Sequence, residues 1–246
     1  MRKLVTLLLI LTISPATLAG VSANPTRPTF SDNAHPMAKG HLELELGGAF
    51  WKSDQFATPF LLKVGLADFA EFKLGGDGLR YNGVGDGELG FGNLGLFTKL
   101  RFVEQQGMSP AMAGLISVML PTASDEVGGG TTNLSLLLVM SGNFGPMGWD
   151  INLGLEMLAL DQDEAFYDVP AILALSANIA GPFGVILEVA DYIPLSDQDN
   201  SLFALGALTW SFTPRLIMDV AFVAGFDGAP DWMIFFGFTS TLAKLW

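Results

Sequence analysis

Residues 149–160 read WDINLGLEMLAL. In an extended chain Trp149, Ile151, Leu153, Leu155 and Met157 point one way, and Asp150, Asn152, Gly154 and Glu156 point the other. The period of 2 marks a strand with one dry face and one wet face. Two environments accept such a strand. In a soluble sandwich the dry face meets a core; in an outer-membrane barrel it meets lipid while the wet face lines a lumen.

The connections around this strand favour lipid. About twelve segments carry strand character, near 41–52, 55–66, 69–76, 88–103, 110–121, 132–142, 147–159, 170–180, 183–193, 202–212, 215–225 and 232–246. Long, mostly acidic connections such as GGDGLRYNGVGDG, PTASDEVGGGTT, DQDEAFYDV, PLSDQDN and DGAPD largely alternate with short links at ADF, NFGP, GP and TP. The exceptions are a short first loop, KSD, and a medium link, EQQGMSP. A barrel with both termini in the periplasm sorts its loops this way, with tight turns inside and larger loops outside. A Greek-key sandwich has no reason to do so.

Bulk properties agree. Mean hydropathy is +0.43, yet the most apolar long stretch, Val169–Leu187, is interrupted by Pro170, Asn178, Gly181, Pro182 and Gly184. A membrane helix needs about 20 predominantly apolar residues. The chain carries 29 glycines and no cysteine, which suits passage through an oxidising periplasm. A net charge of −13 argues against nucleic acid as a partner, because phosphate binding needs Lys and Arg.

The N-terminus reads as an export signal. Arg2 and Lys3 precede the apolar run Leu4–Ile13, which is too short to span a bilayer. Val21-Ser22-Ala23 offers a cleavage site, with Thr17-Leu18-Ala19 as the alternative. The expected organisation is a signal peptide over 1–23, a periplasmic tail or flexible lead-in over 24–40 containing Pro25, Pro28 and Pro36, and a barrel over 41–246; whether 24–40 plugs the lumen is left open by the sequence.

All five tryptophans fall near strand ends, where amphipathic rings favour the membrane–water interface. Trp149, Trp210 and Trp246 lie on the short-turn side and Trp232 on the long-loop side, so these four form the expected aromatic girdle. Trp51 also lies on the long-loop side, but its parity groups it with Glu43 and Glu45. The last stretch, FFGFTSTLAKLW, places Phe236, Phe238, Leu242 and Trp246 on one face. It resembles the signal read by the outer-membrane assembly machinery. Lys244 departs from that face and would snorkel at the rim.

If the dry faces meet lipid, parity assigns the lumen. It receives Glu43, Glu45, Lys63, Glu71, Lys73, Lys99, Arg101, Asp150, Asn152, Glu156, Glu188 and Asp219, with Asn93. Unpaired charge in a narrow barrel is costly, so ion pairs are expected. Leu137, Val139, Ile172, Ile186, Ile217 and Val223 fall on the same side, and a partly apolar interior suits a hydrophobic solute better than a hydrated ion. The polar residues either fill and stiffen the barrel or line a conduit.

Other chemistries lack their parts. GDGELG, Gly85–Gly90, matches a dinucleotide pattern but precedes a strand where that pattern needs a helix. The only histidines, His35 and His41, lie in or beside the N-terminal segment, which leaves little for a Ser–His hydrolase or a zinc site. The acidic loop holding Asp161, Asp163, Glu164 and Asp168 lacks the glycine of a calcium loop, although its carboxylates could share divalent ions with lipopolysaccharide phosphates. No cofactor and no metal is expected.

The segment GVGDGELGFGNLGLFTKLRFVEQQGMSPAMAGLISVMLPTAS carries a family resemblance. Gly83, Gly85 and Asp86, then Lys99 and Arg101, Pro110 and Ala111, and Leu120-Pro121-Thr122 follow one another as in the outer-membrane barrels named for the MetA pathway of phenol degradation, with Ala123 where that family has Gly. GLADFAEFKLG upstream, with Glu71, and the last hairpin, with Thr213, Pro214, Asp219 and Gly225, extend the resemblance over 65–246. It implies an outer-membrane barrel and uptake of phenols or related hydrophobic compounds.

The expectation is therefore an all-β chain: one transmembrane, antiparallel, up-and-down barrel of about 12 strands, with ten or fourteen as alternatives. A soluble periplasmic β-sandwich is the competing fold. The expected function is a passive conduit for small hydrophobic or aromatic solutes. The alternatives are a plugged structural or surface-interaction barrel and a lipid-acting enzyme. A lumen of closed salt bridges would favour plugging; an open pore or lateral gap would favour transport. The expected partners are outer-membrane lipids and lipopolysaccharide, and the assembly machinery.

Overall fold

The structure is a computed structural model that describes residues 21–52, 55–83, 87–127, 130–160 and 165–246. The apolar run of the export signal, Gly85, Asp86, Asp161, Asp163 and Glu164 lie outside the described residues. Among the described residues no helix is long and apolar enough to cross a membrane.

The chain forms a closed antiparallel barrel of 12 strands. They are β1 (His41–Trp51), β2 (Gln55–Ala57 and Phe60–Ala67), β3 (Ala70–Gly76 and Leu79–Asn82), β4 (Glu88–Phe91 and Leu94–Val103), β5 (Ala111–Leu120) and β6 (Asn133–Phe144). Then come β7 (Met147–Leu158), β8 (Phe166–Ala180), β9 (Phe183–Pro194), β10 (Ser201–Thr213), β11 (Leu216–Asp227) and β12 (Trp232–Lys244). Each pairs with the next in sequence, and β12 pairs with β1 from His41 opposite Lys244 to Trp51 opposite Met233. Closure removes the edge strands, so every strand finds a ladder partner on both sides, as lipid requires.

The short links are tight for a local reason. Gly145-Pro146 and Gly181-Pro182 join β6 to β7 and β8 to β9, with the glycines at φ 60° and 53°. Positive φ at the first central position is the type II′ geometry that matches strand twist.

Two strands exceed their expected bounds. β3 continues through Leu79–Asn82, within a stretch read as loop because of its glycines. β8 begins at Phe166, so Pro170 lies inside a strand. The ladder between β7 and β8 is interrupted there, running from Leu153 opposite Ala171 to Glu156 opposite Asp168, which frees Pro170 from donating a hydrogen bond.

β2, β3 and β4 are each broken at one level, at Thr58-Pro59, Asp77-Gly78 and Gly92-Asn93. Pro59 has no N–H to give, and Gly78 takes φ +62°. Beyond the break the outer segments pair with each other and with the end of β1, and Phe91 N donates to Ser124 Oγ (2.8 Å) beside the single helical turn Asp125–Val127.

The N-terminal segment is the main correction to the sequence reading. Residues 24–40 do not hang free as a lead-in but fold into the lumen as a loop continuous with β1. Ala23 N donates to the Pro214 carbonyl (2.8 Å) at the short-turn mouth, Phe30 reaches up to Tyr192, Phe203 and Phe235, and Gly40 N donates to the Gly65 carbonyl (2.7 Å) on the way back. The physical reason is charge: strand carboxylates buried in the lumen need donors, and this segment supplies them.

Candidate functional site: the plugged lumen

The parity assignment puts the charged side chains inside. Glu43, Lys63, Glu71 and Lys99 have no exposed surface, and Glu45 and Lys73 have 2%. On the opposite face Leu153, Leu173, Leu187 and Val220 are half-exposed, as lipid-facing residues are. Trp149 stacks on Phe144, and Trp210 on Phe183, at the short-turn rim; Trp232 and Trp246 are exposed. Trp51 points inward, donates from Nε1 to Gln55 Oε1 (2.5 Å) and has the Arg80 guanidinium 6.0 Å over its ring.

Three ionic groups hold the plug. In the first, Lys63 bridges Glu43 (2.9 Å) and Glu45, while Asn24 N donates to Glu43 Oε2 (2.8 Å) and Thr26 N to Glu45 Oε1 (2.8 Å). In the second, Asp32 lies between Lys73 and Lys99 (2.8 Å to Lys99), and Glu71 faces the same lysines at 3.3 and 3.4 Å while accepting from Met37 N (2.5 Å). Burial pushes the Asp32 carboxyl up, but the two ammonium groups outweigh it and hold the group far below the usual carboxylate range. In the third, Arg27 meets Asp219 (3.3 Å) and donates to the Phe236 carbonyl (2.8 Å).

Further hydrogen bonds complete the seal. Glu188 accepts from Phe30 N (2.7 Å), Ser31 N (3.0 Å) and Ser31 Oγ (2.5 Å). Asn152 pairs with the Asp32 backbone in both directions, at 2.7 and 2.8 Å. Ser141 accepts from Ala34 N (2.7 Å) and donates to Asp150 (2.5 Å). One of the expected lumen residues stands apart: Arg101 sits at the short-turn rim, bonded to Glu104 (2.7 Å) and the Asp68 carbonyl (3.0 Å). Glu156, opposite Asp168 in register, lines a lumen cavity with Asp32, Lys73 and Asn152.

Arg27, Phe30, Ser31 and Asp32 of the plug belong to this site, and strand parity alone misses them. A signal for them existed in the imbalance of the strands, where Glu43, Glu45, Glu71, Asp150, Glu156, Glu188 and Asp219 outnumber Lys63, Lys73, Lys99 and Arg101. Such an excess calls for donors from elsewhere.

Among the cavities that the described residues leave around the plug, two lie at opposite ends of the lumen. Towards the short turns, one of about 370 Å³ is polar, lined by Asn143, Ser176, Asn178, Thr209 and Ser211. Towards the long loops, one of about 550 Å³ is lined mainly by apolar side chains, among them Phe30, Trp51, Met233 and Phe235, with Arg27, Thr29 and Asp77 as its polar members. Close approach of plug and wall depends on Gly65, where a Cβ would fall on the Met37 and Ala38 carbonyl oxygens. Gly65→Val is therefore expected to cost about 1–3 kcal/mol and displace the returning leg of the plug. Increased cleavage within 24–40 by added protease would show it.

The fold resembles known channels. The NanC porin superposes with a TM-score of 0.62 at 10% identity, covering 81% of this chain and 100% of that one. The COG4313 outer membrane channel from Pseudomonas putida F1 gives 0.64 at 11% identity, covering 87% and 100%, and the KdgM porin 0.60 at 8%, covering 81% and 99%. No curated protein matches the chain in sequence. Residues 26–239, which take in most of the plug and all the strands up to Thr239, match the family described as "Putative MetA-pathway of phenol degradation", and the chain belongs to that family.

Proposed function

We propose that the protein is a plug-gated passive conduit of the outer membrane for small hydrophobic solutes, aromatic ones included. The observation that carries this reading is the outer cavity. It opens towards the long loops, its walls are aromatic and aliphatic, and its floor is Phe30 of the plug. Apolar walls with few polar groups are what a small hydrophobic ligand selects. The likeness to porin and channel barrels supports a conduit, and the family name supports the solute class.

A second reading has its own observation. The ion pairs that hold the plug are closed, which favours a stiffened structural barrel whose acidic outer loops meet lipopolysaccharide through shared divalent cations. In both readings an N-terminal signal directs export, and the C-terminal strand is read by the assembly machinery. A hydrolytic role has little support: His41 Nδ1 faces the Lys39 carbonyl at 3.0 Å, away from any serine pair.

The test is uptake into liposomes carrying the refolded protein, comparing a labelled monoaromatic with a polar sugar of similar size. The monoaromatic should enter faster, and Trp51→Ala with Phe30→Ala should narrow the difference about tenfold. Equal entry of both would make the barrel a general pore. Exclusion of both, with a folded barrel, would establish the structural reading.

A further inference from the structure

We propose that the mature chain begins at Asn24, and that its α-ammonium group is a buried structural cation that locks the plug onto Glu43. This inference is independent of which solute the barrel admits.

It begins with a charge count. Glu43, Glu45 and Lys63 are buried together, two carboxylates against one ammonium. The neighbouring group is already balanced, Glu71 and Asp32 against Lys73 and Lys99, and Arg27 is committed to Asp219. Within this cluster one negative charge is therefore left over in a dry site, where an unmatched charge is expensive; Glu188, which also lacks a cation, has three donors of the plug on its carboxylate instead.

The backbone nitrogen of Asn24 sits where the missing cation belongs. It lies 2.8 Å from Glu43 Oε2, while Glu43 Oε1 takes Lys63 at 2.9 Å. Lys63 in turn reaches Glu45. If Asn24 carries a free α-ammonium, the row reads positive, negative, positive, negative. Thr241 Oγ1 donates to the same Glu43 oxygen at 3.2 Å, and Lys63 Nζ donates to the Asn24 carbonyl at 2.5 Å, so the residue is held from both ends.

The sequence supplies the cut that would free this nitrogen. Val21 and Ala23 are small residues at the two positions a signal peptidase reads, and cleavage after Ala23 hydrolyses the Ala23–Asn24 peptide bond. Water adds across that bond, leaving a carboxylate on Ala23 and an amine on Asn24 that is protonated at neutral pH. Cleavage after Ala19 would instead leave a neutral amide at Asn24 and the surplus charge unmatched. Removal of the signal would then do more than release the chain: it would trade the Ala23 N bond to the Pro214 carbonyl for a charge that matches Glu43, tightening a plug that its backbone hydrogen bonds already seat.

Intact mass measurement on protein extracted from the outer membrane tests the cut. The expected mass starts at Asn24; a mass starting at Gly20 overturns the proposal. The charge is tested on barrels refolded from chains starting at Asn24 that differ only by an acetyl group on the α-nitrogen. Acetylation keeps an N–H donor and removes the charge. The acetylated barrel should leak small ions at least about tenfold faster, the effect expected of stranding a buried charge. Equal leak from the two barrels would show that the α-charge plays no part. An independent reading is amine reactivity: the Asn24 amine should resist an acylating reagent in the folded barrel and react once it is unfolded, whereas equal reactivity in both states would overturn burial of the group.

Discussion

Asp32→Ala will destabilise the closed state by about 3–5 kcal/mol, the range for removing one partner of a buried ion pair. Asp32 lies on the plug between two barrel lysines, and among the described residues those lysines have no other carboxylate but Glu71 within 4 Å. Without Asp32 the buried group holds two ammonium charges against one carboxylate. The relief available to it is entry of water, and water enters by displacing the plug. The expected result is a rise in single-channel conductance with a folded barrel retained, read in planar bilayers and by heat-modifiable gel migration. Unchanged conductance would mean that the plug is held mainly by Glu188 and the outer hydrogen bonds. Acid is a weak substitute for this mutation. The folded-state pKa of Asp32 is depressed, so its contribution is fully present above the ordinary carboxylate value of 3.8 and is lost only as pH falls through the lowered value.

Deletion of residues 24–36 should have the largest effect on permeability. It removes the Phe30 floor, the Arg27 and Asp32 ion pairs and the donors to Glu43, Glu45 and Glu188 in one step. The barrel itself should survive, because β1 starts at His41 and its ladders to β2 and β12 do not involve the plug. The two cavities would merge, and the exposed lumen would hydrate around a surplus of carboxylates. Conductance is expected to rise by about an order of magnitude or more, with preference for cations over anions, and the monoaromatic should lose its advantage over the sugar. Retained solute preference would place selection in the wall residues Trp51, Met233 and Phe235 alone.

The wall of this protein was legible and its filling was not. Alternation in segments such as 149–160 reports which side chains share a face, and closure of an up-and-down barrel adds only nearest-neighbour pairing, so parity and loop lengths predict strand number, orientation and the inward position of Lys63 and Glu71. Leu79–Asn82 was hidden because the glycines that allow the bend in β3 also read as loop. The plug was hidden for a deeper reason. Residues 24–40 carry no periodicity, since their conformation is set by hydrogen bonds and ion pairs to nine of the barrel strands rather than by their own sequence. Prolines at 25, 28 and 36 look like a linker when considered alone. Only the unmatched charges of the strands point to an occupant.

The plug is joined to the barrel through Gly40 and His41, with Leu245 N donating to the Gly40 carbonyl at 2.6 Å. A displaced plug therefore remains on a short leash at the short-turn mouth. Its effective concentration near the lumen is on the order of millimolar or above, whatever the density of barrels in the membrane. Re-entry is a unimolecular event, and opening is an excursion rather than a departure. A bilayer recording of the native protein should show brief flickers whose closed intervals do not depend on protein concentration, and a synthetic peptide of residues 24–40 added to the deletion variant should block only at concentrations that approach the leash's own.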